Sequence, residues 1–203
     1  MLSELLLQFK NDISFFNLFE YLTFKTAISA ITALIISFII GPITIKNLQQ
    51  YQIGEEIRSN GPESHLAKRG TPTMGGVIII LSTLLPTLLF SDLSNIMVLI
   101  IALSTLWMGV IGFIDDYLKI IIKAKDGMIA RYKMIGQILL GVIISYAIIN
   151  SNDFNGFNTK TTIPFFKNFE FDFGIFYPLL VIIVITATSN AVNLTDGLDG
   201  LAI

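Results

Sequence analysis

Asp115 and Asp116 stand side by side in IGFIDDYLK, at the point where an apolar run gives way to charge. On a helix continued past Ile114, Lys119 lies at i+4 from Asp115 and i+3 from Asp116, so it faces both. Each charge at the centre of a membrane helix would cost about 2.5–3.5 kcal/mol on the insertion scale, which puts the pair at an interface. Neighbouring carboxylates there can bind a hard cation, or one can be held basic by the charge of the other. A solvated helix end with an ordinary ion pair is the plainer alternative. Lys at position 119 separates the motif from the aspartate-rich pairs of prenyl synthases.

Two further polar clusters border apolar runs. In HLAKRGTPTMGG, Gly70, Pro72, Gly75 and Gly76 surround a threonine pair just before such a run. Backbone amides at a helix start, with Lys68 and Arg69, suit a phosphate or a sugar. A tight turn re-entering the bilayer would use the same residues. His65, the single histidine, has no sequence neighbour to pair with and is read as a loop residue. At the other end, VIIVITATSNAVNLTDGLDGLAI turns polar with Asn190, Asn193, Asp196 and Asp199 at three-residue intervals. Each such step turns about 300° on a helix, so the stripe drifts by about 60° per step. Asn190 and Asn193 then share a face, Asp196 trails it and Asp199 falls on the far side. Gly197 and Gly200 predict that the helix ends near Asp196 and the backbone turns. An amide oxygen such as that of Asn193 is a hard ligand suited to Mg²⁺, and Asp196 can bind a sugar hydroxyl or a cation.

The elements that must position these residues are membrane helices. Of the 203 residues, 53% are hydrophobic and 14% charged, with a mean hydropathy of +0.73. A soluble domain carries about 25% charged residues, so this chain buries its apolar surface in lipid. Absence of cysteine excludes disulfides, thiolate metal sites and a cysteine nucleophile. The first apolar run is long and follows Glu4 and Glu20 rather than a basic segment, so it reads as an anchor and not a cleaved signal.

Hydropathy and length predict an all-α polytopic membrane protein, a single membrane domain over residues 1–203. Five spans are expected, at Thr26–Ile45, Gly75–Phe90, Ile96–Ile114, Met134–Ile149 and Ile175–Val192. The segments 46–73 and 115–133 hold nine Lys and Arg, against four (Lys10, Lys25, Lys160, Lys167) on the other side. That asymmetry puts both basic loops and the polar C-terminus in the cytoplasm, with the N-terminus outside. All three polar clusters then share the cytoplasmic face. The loop 150–174 is aromatic and β-branched, and a short outer-surface hairpin is expected there, with Asn155-Gly156 as its turn. The N-terminal LSELLLQFKNDISFFNLFEYL is expected to lie along the membrane interface.

RGTPTMGG, DDYLK, GMIARYK and NAVNLTDGLDGLA, in that order, resemble the motifs of the phospho-N-acetylmuramoyl-pentapeptide transferase family, within the polyprenyl-phosphate N-acetylhexosamine-1-phosphate transferases. The resemblance implies a Mg²⁺-dependent glycosyl-1-phosphate transferase of the bacterial cytoplasmic membrane. It would take UDP-N-acetylmuramoyl-pentapeptide and undecaprenyl phosphate and release UMP, the first membrane step of peptidoglycan synthesis. It implies Asp115 and Asp116 as the catalytic pair, either one as base toward the lipid phosphate or one as nucleophile. Lys68, Thr73, Lys119, Lys133, Asn190, Asn193 and Asp196 would line the nucleotide and phosphate site, with Asn193 touching Mg²⁺. Membrane lipid and a second copy in a homodimer are the other expected partners, and nucleic acid is not one.

The family pattern also implies about ten membrane spans, a third functional aspartate and a histidine-rich loop further along. The 203 residues are therefore read as an N-terminal portion carrying an incomplete metal site. The alternatives are transfer of N-acetylglucosamine phosphate instead, or an inactive remnant. A transporter is disfavoured, because the spans between Thr26 and Ile114 hold only scattered Ser and Thr, with Asp92 at an outer turn.

Overall fold

The computed structural model describes residues 2–50, 74–123, 127–151, 159–162 and 170–196. They form helices α1 (Leu2–Gln8), α2 (Leu22–Gln50), α3 (Gly76–Phe90), α4 (Ile96–Ile120), α5 (Ala130–Asn150) and α6 (Tyr177–Asp196), with strands β1 (Lys160–Thr162) and β2 (Glu170–Asp172). The chain divides into two compact units, Met1–Met128 and Ile129–Ile203.

Among the described residues, four helices are long and apolar enough to cross a membrane: Leu22–Leu48, Ile96–Lys119, Ala130–Asn150 and Gly174–Asn193. The all-α membrane class therefore stands, and the count of spans needs adjustment. The expected span at residues 75–90 is a helix of 15 residues, α3. At 1.5 Å per residue it reaches about 22 Å, short of a hydrocarbon core of about 30 Å.

Burial is inverted relative to a soluble protein. Ile79 and Phe38 are 66% and 77% exposed, while Ser3, Ser82, Asp115, Gln137 and Ser145 are buried. Apolar surface faces out, and small or polar side chains lie between helices, the pattern expected where lipid is the solvent. Hydroxyls in the apolar helices are satisfied locally: Ser82 donates to the Ile78 carbonyl at 2.6 Å and Ser145 to that of Gly141 at 2.6 Å.

In the first unit, α3 packs against α2 and α4. The α3–α4 turn is held by Asp92, whose Oδ1 accepts from the Ser94 hydroxyl and amide at 2.6 and 2.9 Å. Those two bonds hold its carboxyl below the usual carboxylate range. Asn95 then caps α4, its side chain accepting from the Met97 amide at 2.9 Å. The N-terminal segment is tied to the end of α3. Ser3 Oγ donates to the Phe90 carbonyl at 3.2 Å, and the Phe19 ring stacks on Phe90 at 6.3 Å.

In the second unit, α5 and α6 pack closely. A Cβ on Gly141 would come within 2.7 Å of Ile182 Cγ1 and 3.0 Å of its Cα, so glycine sets that approach. The expected hairpin is present: β1 and β2 pair antiparallel with Thr161 opposite Phe171. Residues 163–169 separate the strands in sequence. That stretch and Asn155-Gly156, which precedes β1, both lie outside the described residues.

Candidate functional site

α4 runs past the expected end at Ile114 to Ile120, so Asp115, Asp116 and Lys119 all sit on helix. Neighbours on a helix point about 100° apart, and the two aspartates meet different surroundings. Asp115 is 6% exposed. Its Oδ2 accepts from Lys119 Nζ at 2.9 Å and its Oδ1 from the Met128 amide at 2.8 Å. The chain beyond α4 therefore returns to lie on this carboxylate. Gly127 makes the return possible. It has φ of +63°, and a Cβ there would stand 2.6 Å from Asp115 Oδ1 and 2.7 Å from Lys119 Cε and Cγ. The left-handed region is costly for side-chain-bearing residues, and no space exists for one here.

Asp116 is half-buried and lines a groove of about 150 Å³ between α3 and α4. Gly112 and Phe113, at i−4 and i−3 from Asp116, share its face, and Gly76, Val77 and Ile80 form the α3 wall. Gly109 and Met74 complete the lining, Met74 with φ of +69° in a region few non-glycine residues occupy. The MGG end of the KRGTPTMGG cluster and the second aspartate of DDYLK thus meet at one groove. Lys68 and Thr73 lie outside the described residues.

The second unit holds the remaining candidates. Lys133 is half-buried in the first turn of α5, and Gln137 follows at i+4 on the same face. Gln137 is 3% exposed. Its Nε2 donates to Ser189 Oγ at 3.1 Å, and its Oε1 accepts from Asn190 Nδ2 at 3.0 Å. Asn190 Nδ2 also donates to the Thr186 carbonyl at 2.8 Å. Asn193, one turn on, is exposed. Asp196 is the last residue of α6, and its side chain lies outside the description. Among the described residues, no three His, Cys, Asp or Glu side chains gather as a metal cage would require.

Sequence reasoning met Gly127 and Met128 only within GMIARYK, giving neither a role, and did not single out Gln137. For Gln137 a signal existed: one amide inside the apolar run MIGQILLGVII, a turn beyond Lys133. For Met128 none did, because a backbone donor carries no side-chain signature.

Fold and site define a polytopic membrane protein with carboxylates in one unit and amides in the other, at or near the ends of their helices. Residues 98–203, more than half of the chain, match Glycosyl transferase family 4, and the chain belongs to that family. Residues 68–80 match the Phospho-N-acetylmuramoyl-pentapeptide-transferase signature 1. The chain is 50% identical over 203 residues to the phospho-N-acetylmuramoyl-pentapeptide-transferase of Desulforapulum autotrophicum, covering 100% of this chain and 56% of the relative. It is 47% identical over 204 residues to that of Pelobacter propionicus, with 100% and 56% covered. Against that of Chlorobaculum parvum it is 48% identical over 183 residues, with 90% and 50% covered. The chain thus spans about half the length of the curated relatives it matches.

Proposed function

We propose that the protein transfers phospho-N-acetylmuramoyl-pentapeptide from its UDP-linked donor to undecaprenyl phosphate at the cytoplasmic face of the bacterial inner membrane, with the N-terminus outside. The observation that carries this reading is the Asp116 carboxylate lining a groove whose opposite wall begins at Met74–Gly76, within the signature segment. Identity of 45–50% to transferases of this name across the whole chain supports the choice of donor.

In the reaction, an oxygen of the lipid phosphate forms a bond to the sugar-linked phosphorus of the donor diphosphate. The bond from that phosphorus to the UMP oxygen breaks, and UMP leaves. The surroundings of the two aspartates support a division of work. Asp115 is buried and spends an oxygen on Lys119 and the other on the Met128 amide, which suits holding the loop and the ammonium in place. Asp116, at the groove, suits contact with reacting atoms, as base toward the lipid phosphate or as nucleophile toward the donor. Lys68, Thr73, Lys119, Lys133, Asn190, Asn193 and Asp196 would line the nucleotide and phosphates.

Mg²⁺ commonly binds through one or two carboxylates, with substrate phosphates and water completing its shell. The exposed Asn193 amide offers one oxygen of the kind such a shell uses, without a protein cage. Bound there, the cation would neutralise charge on the diphosphate.

The test is UMP release by the full-length protein in detergent with undecaprenyl phosphate and Mg²⁺. UMP should appear with UDP-N-acetylmuramoyl-pentapeptide and not with UDP-N-acetylglucosamine. Asp116→Asn should lower turnover by roughly a thousandfold, within the range for a lost acid–base group. Release with the second donor alone would move the protein to the N-acetylglucosamine transferases.

A further inference from the structure

We infer that Gln137 is a positioning residue for the transfer, fixing the side-chain amide of Asn190 so that Asn190 offers its ligand an acceptor oxygen and no donor. This rests on the proposed transferase reading, in which Asn190 lines the site.

The orientation follows from hydrogen-bond accounting. The Thr186 carbonyl one turn below Asn190 can only accept, so the Asn190 atom 2.8 Å from it is the nitrogen. The same nitrogen lies 3.0 Å from Gln137, which must therefore present its oxygen. The Gln137 nitrogen then points to Ser189 Oγ at 3.1 Å, which can accept. Each contact in this relay pairs a donor with an acceptor, and reversing either amide would set two donors or two acceptors against each other. Gln137 is 3% exposed, so water does not compete for these bonds. Gly141, one turn further along α5, fixes the helix spacing across which the bonds form.

Both N–H groups of Asn190 are thus used inside the helix pair, and among the described residues its oxygen accepts no hydrogen bond. An amide in that state cannot donate to a phosphate oxygen. It can accept from a hydroxyl or amide N–H of the donor, or ligate a hard cation. This narrows the role that sequence resemblance assigned to Asn190. Without Gln137 the amide could rotate and present its nitrogen, repelling the same partner. Lys133 lies on the Gln137 face of α5, and in the proposed reading the positive charge a phosphate requires would come from it rather than from Asn190.

The test compares Gln137→Met, which keeps the length and removes the oxygen, with Gln137→Glu, which keeps an oxygen for Asn190. Both are assayed for UMP release in the full-length protein across donor and Mg²⁺ concentrations. Gln137→Met should lower kcat/KM by about 10–100-fold, the scale for loosening a group that holds a ligating residue. The loss should appear as a raised KM for donor if the oxygen meets a hydroxyl or amide, or as a raised Mg²⁺ requirement if it meets the cation. Gln137→Glu should stay within about threefold of the parent, and Asn190→Ala added to Gln137→Met should cost nothing more.

A Gln137→Met protein as active as the parent would overturn the inference, and so would losses that multiply in the double variant. If Gln137→Met does not elute as a single species, Ser189→Ala replaces it. That variant removes only the far end of the relay, and its smaller loss must again vanish on an Asn190→Ala background. In protein labelled with ¹⁵N-asparagine, the Asn190 side-chain amide protons should exchange slowly in the parent and fast in Gln137→Met. Equal exchange overturns the proposed orientation whatever the activity. Silence of the parent toward both donors overturns the transferase reading, and this inference with it. A competent parent indifferent to Gln137 overturns this inference alone.

Discussion

The end of α4 and the α5–α6 seam both bury polar side chains in helices whose outer surfaces are apolar, and they do so with opposite chemistry. At the first, a carboxylate is held by an ammonium and a backbone amide. At the second, neutral amides and a hydroxyl satisfy one another in a relay. A neutral relay costs little to desolvate and little to lose. Hydrogen bonds between membrane helices average about 0.6 kcal/mol, because the separated helices find other partners. A buried carboxylate is different, since removing what holds it leaves a charge in a medium that solvates it poorly. The charged end should therefore be the stiffer and the more vulnerable of the two.

The largest effect should come from Gly127→Ala. The substitution places a Cβ 2.6 Å from Asp115 Oδ1 at a residue with φ of +63°. Left-handed strain and overpacking together should cost about 2–4 kcal/mol, or else force the loop off the carboxylate. Thermal unfolding in detergent and hydrogen exchange at the Met128 amide both read this. An unchanged Tm with a still-protected Met128 amide would mean that the loop accommodates the Cβ and that Gly127 is not what sets the closure. At the seam, Gly141 is also tight, against Ile182, yet its backbone is helical, so the strain there is one of space alone.

Next is Lys119→Met, which leaves the Asp115 charge with its remaining donors. The Lys119 side chain is 47% exposed, so water screens the pair, and a loss of about 1–2 kcal/mol is expected rather than the full penalty of a buried ion pair. Asp115→Asn in the Lys119→Met background should recover part of the loss by removing the stranded charge. Failure to recover any of it would show that the ammonium acts through packing of its methylene chain.

These contrasts also separate what was legible in the sequence from what was not. The long apolar runs fixed the helices, because in lipid each segment must satisfy its own backbone. Their ends were harder to place. α4 continues through Ile120, carrying Lys119 to Asp115, since nothing breaks a helix at Ile114. α3 is only 15 residues long, a shortness visible in Gly75-Gly76 and in the Ser91-Asp92 turn. The i+4 pairing of Asp115 and Lys119 followed from helical spacing. Closure by Met128, thirteen residues on, did not, because its donor is backbone and carries no side-chain signature. The link from Gln137 to Asn190 spans fifty-three residues, and only helix packing brings them together. Asn190 looked like a ligand from its neighbours in sequence, whereas its nitrogen serves the fold.

The smallest effect, and the control for the first comparison, lies in the hairpin. Asp172 Oδ1 accepts from the Thr159 hydroxyl at 2.6 Å and the Gly174 amide at 2.9 Å, one side-chain and one backbone donor as at Asp115, but both on a single oxygen and with a hydroxyl in place of the ammonium. Unlike Asp115 it is exposed. The Thr159 and Gly174 bonds hold its carboxyl below the ordinary value of 3.8. A depressed folded pKa means the charged form favours the hairpin, so the contribution is fully present above the ordinary carboxylate value. It is lost as pH falls through the folded pKa. Between neutral pH and about pH 5 the Gly174 amide shift should therefore stay constant, and it should move only in the acid range below the ordinary carboxylate value. Asp172→Asn should abolish that movement with little change in Tm, because solvent replaces exposed bonds readily. A large drop in Tm on this exposed site would mean that exposure is not what separates it from Asp115, and that the two-donor arrangement itself supplies the rigidity.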